Sequence, residues 1–213
     1  MAWSAEQGKR RASPTMRFWH CSTGQEGAGI ALLKDSSILC HKDVGLVSEV
    51  FSPSVLSELP DASEAIGHVR YSTTGNNTKA NVQPIVKEYL EGRIAVAHNG
   101  NIVNAAEIRE RLLSVGCDFT ATNDSEAISL LIAYEALHRG SIEAGVAEAS
   151  KQLKGAFSCW FCPARIKSSP FGTASASARY VWGEANTAWR WRPKAVPWTV
   201  RDLSLSGTWS RER

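Results

Sequence analysis

The spacing of apolar and polar residues outlines the middle of the chain. Segments 64–72 (EAIGHVRYS) and 93–99 (RIAVAHN) are short, rich in Val and Ile and partly alternating. Each ends at small or turn-forming residues, which predicts strands that deliver polar groups at their ends. Asn104, followed three residues on by Glu107, opens AAEIRERLLSVG as a capping box. Ile108, Leu112 and Val115 share one face of that helix and Gly116 stops it. Asn123 and Glu126 repeat the device before AISLLIAYEALHR, whose apolar residues nearly encircle the helix up to Gly140, so it is predicted to be buried on more than one side. A third helix, IEAGVAEASKQLK, follows Ser141, and LKGAFS then reads as a strand. Strands followed by helices and a further strand fit a layered α+β domain better than alternating βαβ units.

Composition sets the outer limits. At 213 residues, 43% apolar and 21% charged, the chain can build a sizeable core. No run approaches the roughly 20 apolar residues that span a bilayer, and no apolar stretch follows the basic cluster near the start. Neither membrane insertion nor export is expected. Five cysteines without framework spacing suit a reducing compartment, so the expected location is cytoplasmic.

Tryptophan and charge divide the chain. All eight tryptophans lie before Gly24 or after Phe157. Residues 1–23 carry net +3 and 158–213 net +6, so the chain total of +3 leaves the middle at −6. The basic ends form no periodic face, which argues against a nucleic-acid arm despite their aromatics. Cys159 and Cys162 have CxxC spacing, but no second pair or neighbouring histidine completes a four-ligand set.

Four strings stand out in order: GQEGAGI (24–30), GHVRYSTTGNN with NVQP (67–84), AHNGNIVNAAEIRERL (97–112) and NDSEAISLLI (123–132). Together they resemble the class II glutamine amidotransferase domain, an N-terminal-nucleophile hydrolase. RYSTTG with NxQP is more similar to amidophosphoribosyltransferases than to their sugar-aminating relatives. The resemblance covers residues 24–158 and implies a four-layer αββα sandwich, here expected to be incomplete at both ends.

The resemblance also implies a chemistry. A free N-terminal cysteine attacks the side-chain amide of glutamine, its own α-amino group moving the proton, to give a glutamyl thioester and ammonia. Asn99, through its side chain, and Gly100, through its N–H, would form the oxyanion hole. Arg70 would bind the α-carboxylate and Asp124 the α-ammonium. Taken singly, each has a plainer reading: a surface arginine, an Asn-Gly turn, a helix-start acid. His68 and His98 read as core or strand-end residues. Glutamine is the expected partner, with no nucleic acid and no membrane. The family is homo-oligomeric and uses Mg²⁺ with a phosphoribosyltransferase domain, which is not expected in this chain, so no cofactor is expected here.

The ends depart from the family pattern. Neither Met1 nor Cys21 supplies the nucleophile, so the chain as translated is expected to be inactive. If codons are read from the third base of one residue and the first two of the next, Phe18 to Cys21 must give Leu-Ala-Leu, and Cys21 to Gly24 permits Gln-His-Arg, the family's approach to Gly-Gln-Glu. Ser175 to Gly183 likewise permits Gly-Ile-Arg-Pro-Leu-Cys-Leu-Gly. Segments 1–23 and 159–213 are therefore expected to be out-of-frame and poorly folded. The alternatives are another class II glutamine amidotransferase and a non-enzymatic remnant that binds glutamine.

Overall fold

The computed structural model describes residues 2–6, 26–62, 64–70, 78–89, 92–163 and 169–172. Cys21, the 71–77 part of the second motif and the 175–183 string lie outside these residues. Strands β1 (Ala2–Glu6), β2 (Gly27–Lys34), β3 (Ser37–Val44) and β4 (Glu64–Arg70) form one antiparallel sheet in the order β1-β4-β2-β3. Strands β5 (Ile85–Tyr89), β6 (Gly92–Ile102), β7 (Gly155–Pro163) and β8 (Ser169–Gly172) form a second, in chain order.

Strand side chains alternate between faces, so two stacked sheets create three apolar layers. On the outer face of the first sheet, Ala28, Ile30, Leu32, Ala65 and Val69 pack against Val47, Val50 and Phe51 from α1 (Val47–Val50) and its end, with α2 (Pro53–Glu58) alongside. The inner faces meet through Ala31, Leu33 and Ile66 on one side and Ala95, Ala97, Trp160 and Cys162 on the other. On the outer face of the second sheet, Ile94, Val96, Phe157, Cys159 and Phe161 lie under α3 (Ala105–Ser114), α4 (Asp124–Arg139) and α5 (Ile142–Gln152). The protein is an αββα sandwich, as the motif pattern implies.

Several details differ from the sequence reading. Strand β7 does not stop at Ser158. It runs to Pro163, buried throughout from Phe157, because Phe157, Cys159 and Phe161 serve one layer and Trp160 and Cys162 the other. Ala2–Glu6 pairs with β4 along its length, so the short segment before Gly24 contributes a strand.

Asn104 does not cap α3. Its amide instead donates to the Gln152 carbonyl at 2.8 Å and accepts from the Lys154 N–H at 2.9 Å. Val115 is half-exposed, since the helix has already ended there. Elsewhere α4 is buried on most sides, Gly140 ends it in a left-handed conformation, and the Ser141 hydroxyl caps α5.

Candidate functional site

The site begins with the NVQP segment, which sequence reasoning singled out only as a motif. Asn81 is fully buried. Its side-chain oxygen accepts from the N–H groups of Thr122 and Asn123 at 2.9 and 3.2 Å, and its carbonyl accepts from the Asn123 amide at 2.9 Å. Gln83 accepts the His98 N–H at 2.6 Å. One short segment thus fixes both the entry to α4 and the end of β6. It can lie across β2 only because Gly29 is bare: a Cβ there would run into the Gln83 carbonyl and stand 2.7 Å from the Lys42 Cβ. This accounts for a glycine of the first motif that residue patterns alone left without a task.

The entry to α4 is held a second time. Glu126 is fully buried, and its carboxylate takes the N–H and hydroxyl of Thr120, both at 2.8 Å, the Ala121 N–H at 2.6 Å, and Lys87 Nζ at 2.6 Å. Burial would raise its pKa, but these donors outweigh burial and leave the carboxyl below its ordinary value. The Asn123 side chain caps the Glu126 N–H at 3.0 Å. Glu126 does not reach back in return, so only half of the predicted box forms.

This frame presents the four predicted residues. Asp124, the first residue of α4, turns its carboxylate toward β6: Oδ1 lies 3.4 Å from His98 Nδ1, and Oδ2 accepts the Ile102 N–H at 3.4 Å. Between those two contacts lie Asn99 and Gly100, both exposed. Gly100 has φ +129°, and a side chain there would collide with the Ala156 carbonyl, so glycine is required. Arg70 ends β4, buried, on the same face as Ile66 and His68, which is the face turned to the second sheet. Asn99 has the parity of Ala95 and Ala97 and faces back across the same gap.

Electrostatics agree with this placement. Burial would raise the Asp124 pKa, yet His98 and the Ile102 N–H more than offset it and keep the group ionised. Burial pushes His68 well below its usual pKa, so it is neutral. Cys159 is pushed well above the usual thiol range, first by burial and then by Asp124, and Cys162 up to about 12 by burial and Glu64. Neither is a thiolate near neutrality, and they occupy opposite faces of β7, so the CxxC spacing forms no site. His98, first read as a core or strand-end residue, is buried but joins the site through Asp124. Its place beside Asn99 was the available signal.

Comparison with known proteins adds a likeness. Residues 68–168 match the family described as glutamine amidotransferase domain. The chain is 47% identical over 136 residues to an amidophosphoribosyltransferase of Synechococcus elongatus, covering 63% of this chain and 27% of the relative. It is 44% identical over 135 residues to that of Methanothermobacter thermautotrophicus, covering 63% and 28%. The chain therefore spans about a quarter of the length of these relatives. Among solved structures it resembles the glutamine phosphoribosylpyrophosphate amidotransferase from B. subtilis complexed with ADP and GMP, with TM-score 0.65, 29% identity, and coverage of 81% of this chain and 36% of that one. Residues 68–168, which include Arg70, Asn99, Gly100 and Asp124, are thus similar to the glutamine amidotransferase domain, and the relatives that the chain resembles are amidophosphoribosyltransferases.

Proposed function

We propose that this chain binds L-glutamine between Arg70 and Asp124 and, as translated, does not hydrolyse it. Arg70 takes the α-carboxylate with a planar pair of donors, and Asp124 takes the α-ammonium. Asn99 and Gly100 face the side-chain amide, where an oxyanion would develop. In the complete reaction a cysteine would form the thioester and release ammonia for phosphoribosylamine, the first step of purine synthesis. The phosphoribosyl transfer and its Mg²⁺ would belong to another domain, and glutamine binding here needs no cofactor. The cytoplasm is the compartment that suits this role.

The observation that carries the reading is the Asp124 carboxylate, ionised and fixed between His98 and Ile102 on either side of Asn99-Gly100. The thiols of β7 support the lack of turnover, since both are buried and held neutral. Calorimetric titration with L-glutamine, alongside an ammonia-release assay, tests both parts. Binding is expected in the wild type, weakened about tenfold or more by Asp124→Asn, about 1.4 kcal/mol. No ammonia above the blank is expected. Absence of binding would refute the first part, and steady ammonia release the second.

A further inference from the structure

We infer that His98 is the positioning residue for the ammonium end of the ligand, holding the Asp124 carboxylate in the direction that reads the α-amino group. The inference rests on the assignment of Asp124 to the glutamine ammonium made above.

His98 is 2% exposed, so both ring nitrogens must be accounted for inside the protein. Nδ1 lies 3.4 Å from Asp124 Oδ1 and 3.3 Å from the Ser125 hydroxyl. A carboxylate only accepts, so the favourable tautomer carries its proton on Nδ1. Nε2 is then a bare acceptor, and it has no hydrogen-bond partner among the described residues. An apolar side chain in this place would avoid that cost, so the reason for a histidine lies at Nδ1.

The backbone supports the same role. The His98 N–H is held by Gln83 at 2.6 Å, and the ring leans on Phe157 with centroids 6.3 Å apart. Both contacts favour the ring position beside Asp124. The Ile102 N–H takes the other carboxylate oxygen, so two donors of a single strand, on either side of Asn99-Gly100, set the carboxylate plane. Both contacts are 3.4 Å, long for a charge-assisted bond, which leaves acceptor capacity for an ammonium.

The test uses the full chain and two probes: L-glutamine and 4-carbamoylbutanoate, which is glutamine with the α-ammonium replaced by hydrogen. Titration calorimetry of the wild type should show glutamine preferred about tenfold or more. In His98→Phe that preference should fall to about twofold, with affinity for 4-carbamoylbutanoate nearly unchanged. His98→Asn, whose amide nitrogen can stand where Nδ1 stood, should retain the preference. His98→Gln, which places its amide nearer the Nε2 position, should lose it, and this Asn-against-Gln contrast decides the matter if the Phe variant does not fold. Equal weakening of both ligands in all three variants, as expected of a merely structural residue, would overturn the inference. A wild type that binds both probes equally would overturn the assignment of Asp124 itself, and one that binds neither would overturn the glutamine reading and this inference with it.

Discussion

At the start of α4, Asn123 caps the helix while the Glu126 side chain leaves the box to hold Thr120, Ala121 and Lys87. At the start of α3, Asn104 leaves the helix instead, bridging to Gln152 and Lys154, and Glu107 stays exposed. Both segments read N-x-x-E. The sequence device marks where a helix begins, but tertiary surroundings decide what its side chains hold. Beside the site, the acid is buried and organises a loop. Away from it, the amide ties two distant segments and the acid is solvated.

The contrast should be sharpest in stability. Glu126→Ala strands a mostly buried Lys87 and three further donors, so a loss of about 3–5 kcal/mol is expected in chemical denaturation. Glu107→Ala should cost less than about 0.5 kcal/mol. Comparable losses at both positions would break the comparison.

The amides should differ less. Asn81→Ala removes the acceptor for the N–H groups of Thr122 and of buried Asn123 at the α4 entry and is expected to cost about 2–3 kcal/mol. Asn104→Ala, with solvent closer to its partners, should cost about 1 kcal/mol. Thermal melts of the pair would reverse the ordering if the α3 bridge were the stronger tie.

The smallest effect is in the acid limb. In the fold the Glu126 carboxyl titrates below its ordinary 4.5, so the unfolded chain takes the proton first. The stability that Glu126 contributes is complete above pH 4.5 and is lost as pH falls through the folded value, by at most about 1.4 kcal/mol per pH unit. Glu126→Gln should flatten that limb, as read from denaturation midpoints between pH 5 and about 3.

What the sequence made legible follows from the range of the interactions. Helices α4 and α5 were readable because their periodicity, caps and terminal glycine act within a few residues. Asn99, Gly100, Arg70 and Asp124 could be singled out because they sit inside ordered strings, and the structure brings Asp124 against the strand that carries Asn99 and Gly100. The tasks of Asn81, Gln83 and Glu126 were not readable: Asn81 reaches partners 41 and 42 residues away, and nothing local distinguishes a buried glutamate from a solvated one. Strand β7 continues past Ser158 because its apolar run goes on through Cys162, as suits a strand buried on both faces.

Strand β7 has a practical consequence through its two cysteines. Cys159 lies in the layer under the helices and Cys162 in the layer between the sheets, each about 1% exposed or less. A thiol-labelling reagent therefore meets two internal clocks three residues apart. Modification of Cys159 times the lifting of the helical cover, modification of Cys162 times the parting of the sheets, and peptide mapping of a single labelling course would show which seam opens first.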